Sequence, residues 1–131
     1  MPVRRITSPD VAEAEPGLWS NCLVVDKTIY LAGMTARGKD QKTIEGADEY
    51  EQTKTIFRKY QALMTAAGGK MSDIVKLTIF VTDISQRQKV WQARREFFTG
   101  DFPTCALVEV SSLAGPEVLV EIQGIGHLGA S

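Results

Sequence analysis

The chain has 131 residues, enough for one compact domain with a real core, and 44% apolar with 24% charged residues is ordinary for a globular protein. Its 15 basic and 16 acidic residues give a formal net charge of −1 and are spread along the chain, so no block of like charge points to nucleic acid or a membrane surface as a partner. An Arg4-Arg5 pair is followed by Asp10, Glu13 and Glu15 instead of an apolar stretch, which argues against a secretory signal, and no run approaches the length of a membrane span. Cys22 and Cys105 are too few and too far apart for a disulfide framework, so both are expected to be reduced thiols in a cytoplasmic protein. His127 is the single histidine, no HxxxH or CxxC spacing occurs, and neither a metal centre nor a cofactor is expected.

In chain order, Leu18 to Val25 and Thr28 to Gly33 are β-leaning runs joined by Asp26-Lys27, a two-residue hairpin connection that lacks the favoured glycine at its second position. Gly33 to Asp40 is a polar, glycine-punctuated loop suited to the rim of a pocket. From about Gly46 to Ala67, Tyr50, Thr53, Phe57, Tyr60, Met64 and Ala67 recur at three- and four-residue spacing and predict one face of a helix, which Gly68-Gly69 stops. Ile74 to Thr82 reads as a central strand with Val75, Leu77, Ile79 and Val81 on one face. A second helix is expected from about Ser85, capped by Asp83 or Ser85, with Val90, Ala93, Arg94, Phe97 and Phe98 inward and Gly100-Asp101 as its end.

Two β-rich runs follow, parted by the break Ser-Ser-Leu-Ala-Gly-Pro at 111–116. Alternation puts Thr104, Ala106, Val108 and Val110 on one face and Cys105, Leu107 and Glu109 on the other. In the second run Glu121 is a lone carboxylate among Val118, Leu119, Val120 and Ile122, where burial would favour its neutral form unless a charge or hydrogen bond compensates. If these two strands pair, Cys105 and Glu121 meet. The order strand-strand-helix-strand-helix-strand-strand, with right-handed crossovers, puts both helices on one face of a mixed sheet. The other, bare apolar face calls for a partner, here more copies of the chain.

The stretch 102–126 resembles the C-terminal signature of the Rid/YjgF family of imine and enamine deaminases, once grouped as L-PSP endoribonucleases. Phe102-Pro103, Val108-Glu109-Val110, Leu113 and Glu121-Ile122 match in order and spacing, whereas the family's arginine is replaced by Cys105. Ile29 to Gly33, Ala66 to Gly69, Ser72 to Lys76 and Phe97-Phe98 extend the resemblance over nearly the whole chain. The resemblance implies an α+β, chorismate-mutase-like fold and a homotrimer whose clefts lie between subunits. It also implies hydrolysis of a small C–N compound, with Glu121 activating the water and Gly33 near the substrate. The substrate-binding residues it implies, besides Gly33, are Trp19, where a Tyr is frequent, Met34, closing a segment that is Ser-Gly-Gln in relatives, Trp91, where an Asn is often seen, and Ala106, which follows the altered position.

Since the family's arginine holds a substrate carboxylate, Cys105 implies an atypical pocket. The thiol is open to three readings: nucleophile, pocket wall or inert residue. Arg37 in the rim loop is a candidate to bind an anion in place of the lost cation. Small-molecule hydrolase is the leading expectation, with a non-catalytic trimeric binding or protective protein as the alternative.

Overall fold

The computed structural model describes residues 2–131. Six strands form one sheet in the order β1-β2-β3-β6-β4-β5, and two helices pack on one face of it, an α+β architecture.

The hairpin forms as expected between β2 (Cys22–Val25) and β3 (Thr28–Met34). Its turn needs no glycine because Asp26 takes the left-handed backbone at φ 55°, which a short polar side chain tolerates. The first strand of the hairpin is shorter than the apolar run, since Leu18 and Trp19 stand 59% and 55% exposed ahead of it. β1 (Val3–Arg5) pairs antiparallel with β2. Its three exposed residues carry no alternation by which a strand could be recognised.

α1 (Glu49–Ala66) begins three residues later than the periodicity predicts. Gly46 has φ 109° and cannot be helical, and Asp48 is the cap, its carboxylate accepting the Glu51 amide at 2.9 Å. At the other end Gly68 turns to φ 89°, and the Gly69 amide returns to the Met64 carbonyl at 2.8 Å. The inward stripe is Gln52, Thr53, Ile56, Phe57, Tyr60, Leu63 and Met64, wider than the expected line, while Tyr50 sits at its margin and donates to Glu96 at 2.5 Å.

β4 (Ile74–Val81) lies inside the sheet. A register shift between Ile74 and Lys76 turns Val75 outward, so it is 39% exposed while Ile74, Leu77, Ile79 and Val81 are buried. A 3-10 turn at Ile84–Gln86 leads into α2 (Arg87–Phe97). Asp83 caps that turn by accepting the Ser85 amide at 3.0 Å. Phe57 meets Phe97 and Phe98 with ring centroids 5.4 Å apart and locks the two helices together over the sheet.

The C-terminal strands β5 (Thr104–Glu109) and β6 (Val120–His127) do not pair with each other. β6 inserts antiparallel between β3 and β4, and β5 lies parallel to β4 at the edge. The expected meeting of Cys105 with Glu121 therefore does not occur within the chain. Their partners on β4 are Leu77 and Phe80, so they are two strand spacings and three residues apart, on the order of 14 Å, and on opposite faces. Val108, opposite Phe80, shares the row with Glu121. That face carries no helix and leaves Tyr30, Val75 and Val108 between 39% and 48% exposed.

Candidate functional site

The alternation of β6 sends Val120 and Ile122 into the core and Glu121, half-buried, to the helix-free face. Its seat is the end of β3. A Cβ on Gly33 would lie 2.7 Å from Glu121 Oε2, so the carboxylate occupies the space that any side chain at residue 33 would need. Beneath it, the buried Tyr60 hydroxyl donates to the carbonyls of Ala32, at 3.1 Å, and Ile122. Those bonds join β3 and β6 where their register shifts between Leu31 and Met34. Burial, with the Glu121 charge as a smaller cause, holds the Tyr60 phenol protonated, its pKa raised well above the usual value.

Above Glu121 opens a cleft of about 280 Å³, walled by Ala12 to Glu15 and Trp19 on one side and by Thr35 to Gln41 on the other. The Trp19 indole is oriented, not merely exposed. Its Nε1 donates to Asn21 Oδ1 at 3.2 Å, and Asn21 Nδ2 donates to the Ala12 carbonyl at 2.9 Å. Gln41 Nε2 donates to the Glu13 carbonyl at 3.1 Å and ties the two walls together. Glu13 itself pairs with Arg5 at 2.6 Å. Met34, expected as a pocket residue, borders the cleft but is 4% exposed and packs in the core.

Several cleft residues escaped sequence reasoning, among them Asn21, Gln41 and Lys59. Lys59 reaches in from α1 and donates to the Thr35 and Arg37 carbonyls at 2.9 and 3.1 Å. Burial, reinforced by the nearby Arg37 charge, lowers its pKa to about 8. The available signal was its register, since Lys59 falls at helical spacing between Ile56 and Leu63 of the inward stripe.

The remaining expected residues lie elsewhere in the chain. Cys105 sits on edge strand β5 on the helix side, beside Arg94. Its thiol pKa is raised by burial, and the charge and hydrogen bond of Arg94 offset this only in part. Ala106 is on the helix-free face, opposite Thr78. Trp91 borders a separate depression with Gln88 and Gln92 on α2, and the Arg87 guanidinium stands 5.7 Å from its ring centroid. His127 is paired with Thr28 at 3.3 Å. Glu121, Gly33, Met34 and Trp19 thus converge in one chain, and Cys105, Ala106 and Trp91 do not join them. Among the described residues no three His, Cys, Asp or Glu side chains are placed to hold a metal ion, and no helix is long and apolar enough to cross a membrane.

A family model described as Endoribonuclease L-PSP matches residues 11–128, essentially the whole of this architecture. The chain belongs to the Rid/YjgF family. It is 33% identical over 128 residues to a 2-iminobutanoate/2-iminopropanoate deaminase from Dermatophagoides farinae, a match covering 95% of this chain and 97% of the relative. Among solved structures, a protein of unknown function from Pseudomonas aeruginosa superposes with a TM-score of 0.86 at 36% identity, covering 98% of this chain and 94% of that one. RidA from an Antarctic Psychrobacter species gives 0.86 at 25% identity, covering 95% and 99%. In this Rid/YjgF chain Glu121 lies at the cleft floor, while Cys105 lies on the sheet edge.

Proposed function

We propose that the protein deaminates a small imine or enamine by hydrolysis, with Glu121 as general base. The observation that carries this reading is the Glu121 carboxylate seated over Gly33 at the floor of a cleft walled by Trp19. A carboxylate at the floor of a half-enclosed cleft can take a proton from a water attacking the C=N carbon and return it to nitrogen. Addition forms the C–O bond and a carbinolamine; its collapse breaks the C–N bond, forms the carbonyl and releases ammonia. An enamine enters the same course after protonation at carbon.

The assembly we propose is a homotrimer, with the helix-free face covered by neighbouring copies. Tyr30, Val75 and Val108 supply the apolar surface for it, and β5 presents an open edge. In that arrangement the open β5 edge of a neighbour, carrying Cys105 and Ala106, borders the cleft, and the thiol serves as a wall, since its raised pKa is the opposite of what a nucleophile at neutral pH needs. The protein acts in the cytoplasm on this reading, in line with its two unpaired thiols.

The test is Glu121→Gln, which preserves shape and removes the base. Loss of imine hydrolysis with an unchanged sedimentation profile supports the reading, and turnover equal to wild type overturns it. Wild-type protein that hydrolyses no imine above the uncatalysed rate would instead favour the alternative, a trimeric binding or protective protein.

A further inference from the structure

We propose that helix α1 sets the position of the Glu121 carboxylate: the Tyr60 hydroxyl and the Gln52 carboxamide hold the β6 backbone on either side of it, and both are positioning residues for the hydrolysis. This rests on the reading of Glu121 as the base and goes beyond it by assigning what keeps that base in place.

Glu121 needs such a hold. The ion pairs among the described residues are Arg5–Glu13 and Lys54–Glu51, which leave its carboxylate without a cation to fix it. Its backbone is also less confined than the middle of the sheet. β4 pairs with β6 from Val120 onward, with Phe80 opposite Glu121, whereas the β3 ladder reaches only as far as Ile122, opposite Met34. On the β3 side Glu121 therefore has no strand partner, and there Gly33, Met34 and Thr35 border the cleft instead. The register shift just beyond sets Ala32 and Gly33 together against Gln123 and loosens the ladder further.

Two buried polar side chains of α1 compensate from the opposite face. Tyr60 shares its one hydroxyl proton between carbonyls of both strands, Ile122 on β6 and Ala32 on β3, and so bridges the loosened ladder next to Glu121. Gln52 uses both amide protons and its oxygen. Its Nε2 donates to the Glu117 carbonyl at 2.9 Å and the Gly46 carbonyl at 3.1 Å, and its Oε1 accepts the Leu119 amide at 3.0 Å. Binding a carbonyl and an amide of one segment, it stands in for a neighbouring strand. Gln52, Ile56 and Tyr60 form one row along α1, each four residues after the last. Eight residues of helix rise about 12 Å, and the three steps from Leu119 to Ile122 span about 10 Å of strand, so the row runs the length of the segment that it holds. The two grips straddle Glu121, whose side chain leaves from the other face.

The experiment compares Tyr60→Phe with Ile56→Val, which trims a buried side chain between the two grips and removes no hydrogen-bonding group. Turnover of 2-iminobutanoate generated in situ is measured below the onset of each melt, and crystal structures locate the carboxylate. Tyr60→Phe should lower kcat about tenfold with KM within about twofold of wild type, the mark of a group that acts in the transition state. Its Glu121 carboxylate should shift by about 0.5–1 Å from the seat over Gly33, since a misplacement of about 1 Å costs on the order of a hundredfold. Gln52→Met, which strips three backbone partners, should act in the same direction, and Ile56→Val should change neither quantity. Wild-type kcat in Tyr60→Phe, an equal loss in Ile56→Val, a rise in KM in place of the fall in kcat, or an unmoved carboxylate overturns the proposal. Glu121→Gln separates the two readings. If it hydrolyses the imine as wild type does while the carboxylate shifts in Tyr60→Phe, the base assignment fails and the clamp stands. If it loses turnover while Tyr60→Phe keeps wild-type kcat and geometry, the reverse holds. Wild type without turnover overturns the base reading alone, and the carboxylate position then decides the clamp.

Discussion

Replacing Gly33 by Ala tests the seat of Glu121 without touching its charge. The new Cβ would lie 2.7 Å from Oε2, 3.4 Å from Cδ and 3.6 Å from Cγ, and ordinary contact begins near 3.4 Å. The carboxylate must therefore withdraw by about 0.7 Å, which a flexible side chain open to the cleft can do without disturbing the sheet. Gly33 is not among the residues of positive φ, so alanine is compatible with the backbone, and stability should stay constant or rise by up to ~1 kcal/mol. A misplacement of about 1 Å at a reacting group costs roughly a hundredfold, so kcat/KM should fall on the order of 10- to 100-fold, about 1.4–2.7 kcal/mol of barrier. The assay is ammonia release from an imine generated in situ, corrected for uncatalysed hydrolysis, alongside a thermal melt by circular dichroism. An unchanged melt with unchanged turnover would refute the claim that the carboxylate works from its position over Gly33. A fall in both would mean that the strand had moved instead.

Tyr60→Phe deletes the buried hydroxyl that bridges Ala32 and Ile122, and should cost about 1–3 kcal/mol, lowering the melting temperature by roughly 4–10 °C. A melt within 1 °C of wild type, on the scale of about 2–8 °C per kcal/mol, would show that those carbonyls are satisfied without it. Lys59 makes stability depend on alkaline pH. Its folded pKa of about 8 is below its unfolded value, so between pH 8 and about 10.5 the unfolded chain holds a proton that the folded chain has released, and stability rises with pH across that window. Urea titrations at both ends should show a rise of order 1–3 kcal/mol in wild type that is absent from Lys59→Met; identical slopes would contradict it. Cys22 is buried with its pKa pushed up to about 11, so a thiol reagent at neutral pH should reach it only after denaturation, and rapid native-state labelling there would contradict the burial.

The elements that declared themselves in the sequence are those whose period is local. The hairpin, the stripe of α1, β4 and the alternation of β5 and β6 all came from patterns within ten or so residues. Strand order is different, because whether β6 lies beside β5 or slips between β3 and β4 is decided by the helix-covered core. The same alternation serves both arrangements, and only the second separates Cys105 from Glu121. Glu121 and Gly33 were legible through their resemblance to the family, and Trp19 likewise. Its fixed orientation was not, since it depends on Asn21 bonding back to Ala12 across nine residues. Val75 was misplaced because a bulge breaks alternation without leaving a mark in the sequence. Lys59 hid for a simpler reason: lysine is normally assigned to the solvent side of a helix, and here two loop carbonyls hold its ammonium against the protein.

The proposed trimer turns the separation of Cys105 from Glu121 into a prediction of its own. In one chain the two residues are on opposite faces with β4 between them, so they can share a cleft only if β5 of one subunit borders Glu121 of the next. Cys105→Trp, at an exposed edge position, should fold and block the neighbour's cleft, while Glu121→Gln empties its own. Each homotrimer should be inactive. When the two are denatured together and refolded at equal amounts, a cleft that takes Glu121 from one variant and Cys105 from the other is wild type at both positions. Random assembly around a threefold ring makes about one cleft in four of this kind, so about a quarter of wild-type turnover should return. Recovery at that level would demonstrate that each cleft is built by two chains. No recovery from well-formed mixed trimers would mean that residue 105 does not border a neighbour's Glu121, and the helix-free face would then have to be covered in some other way.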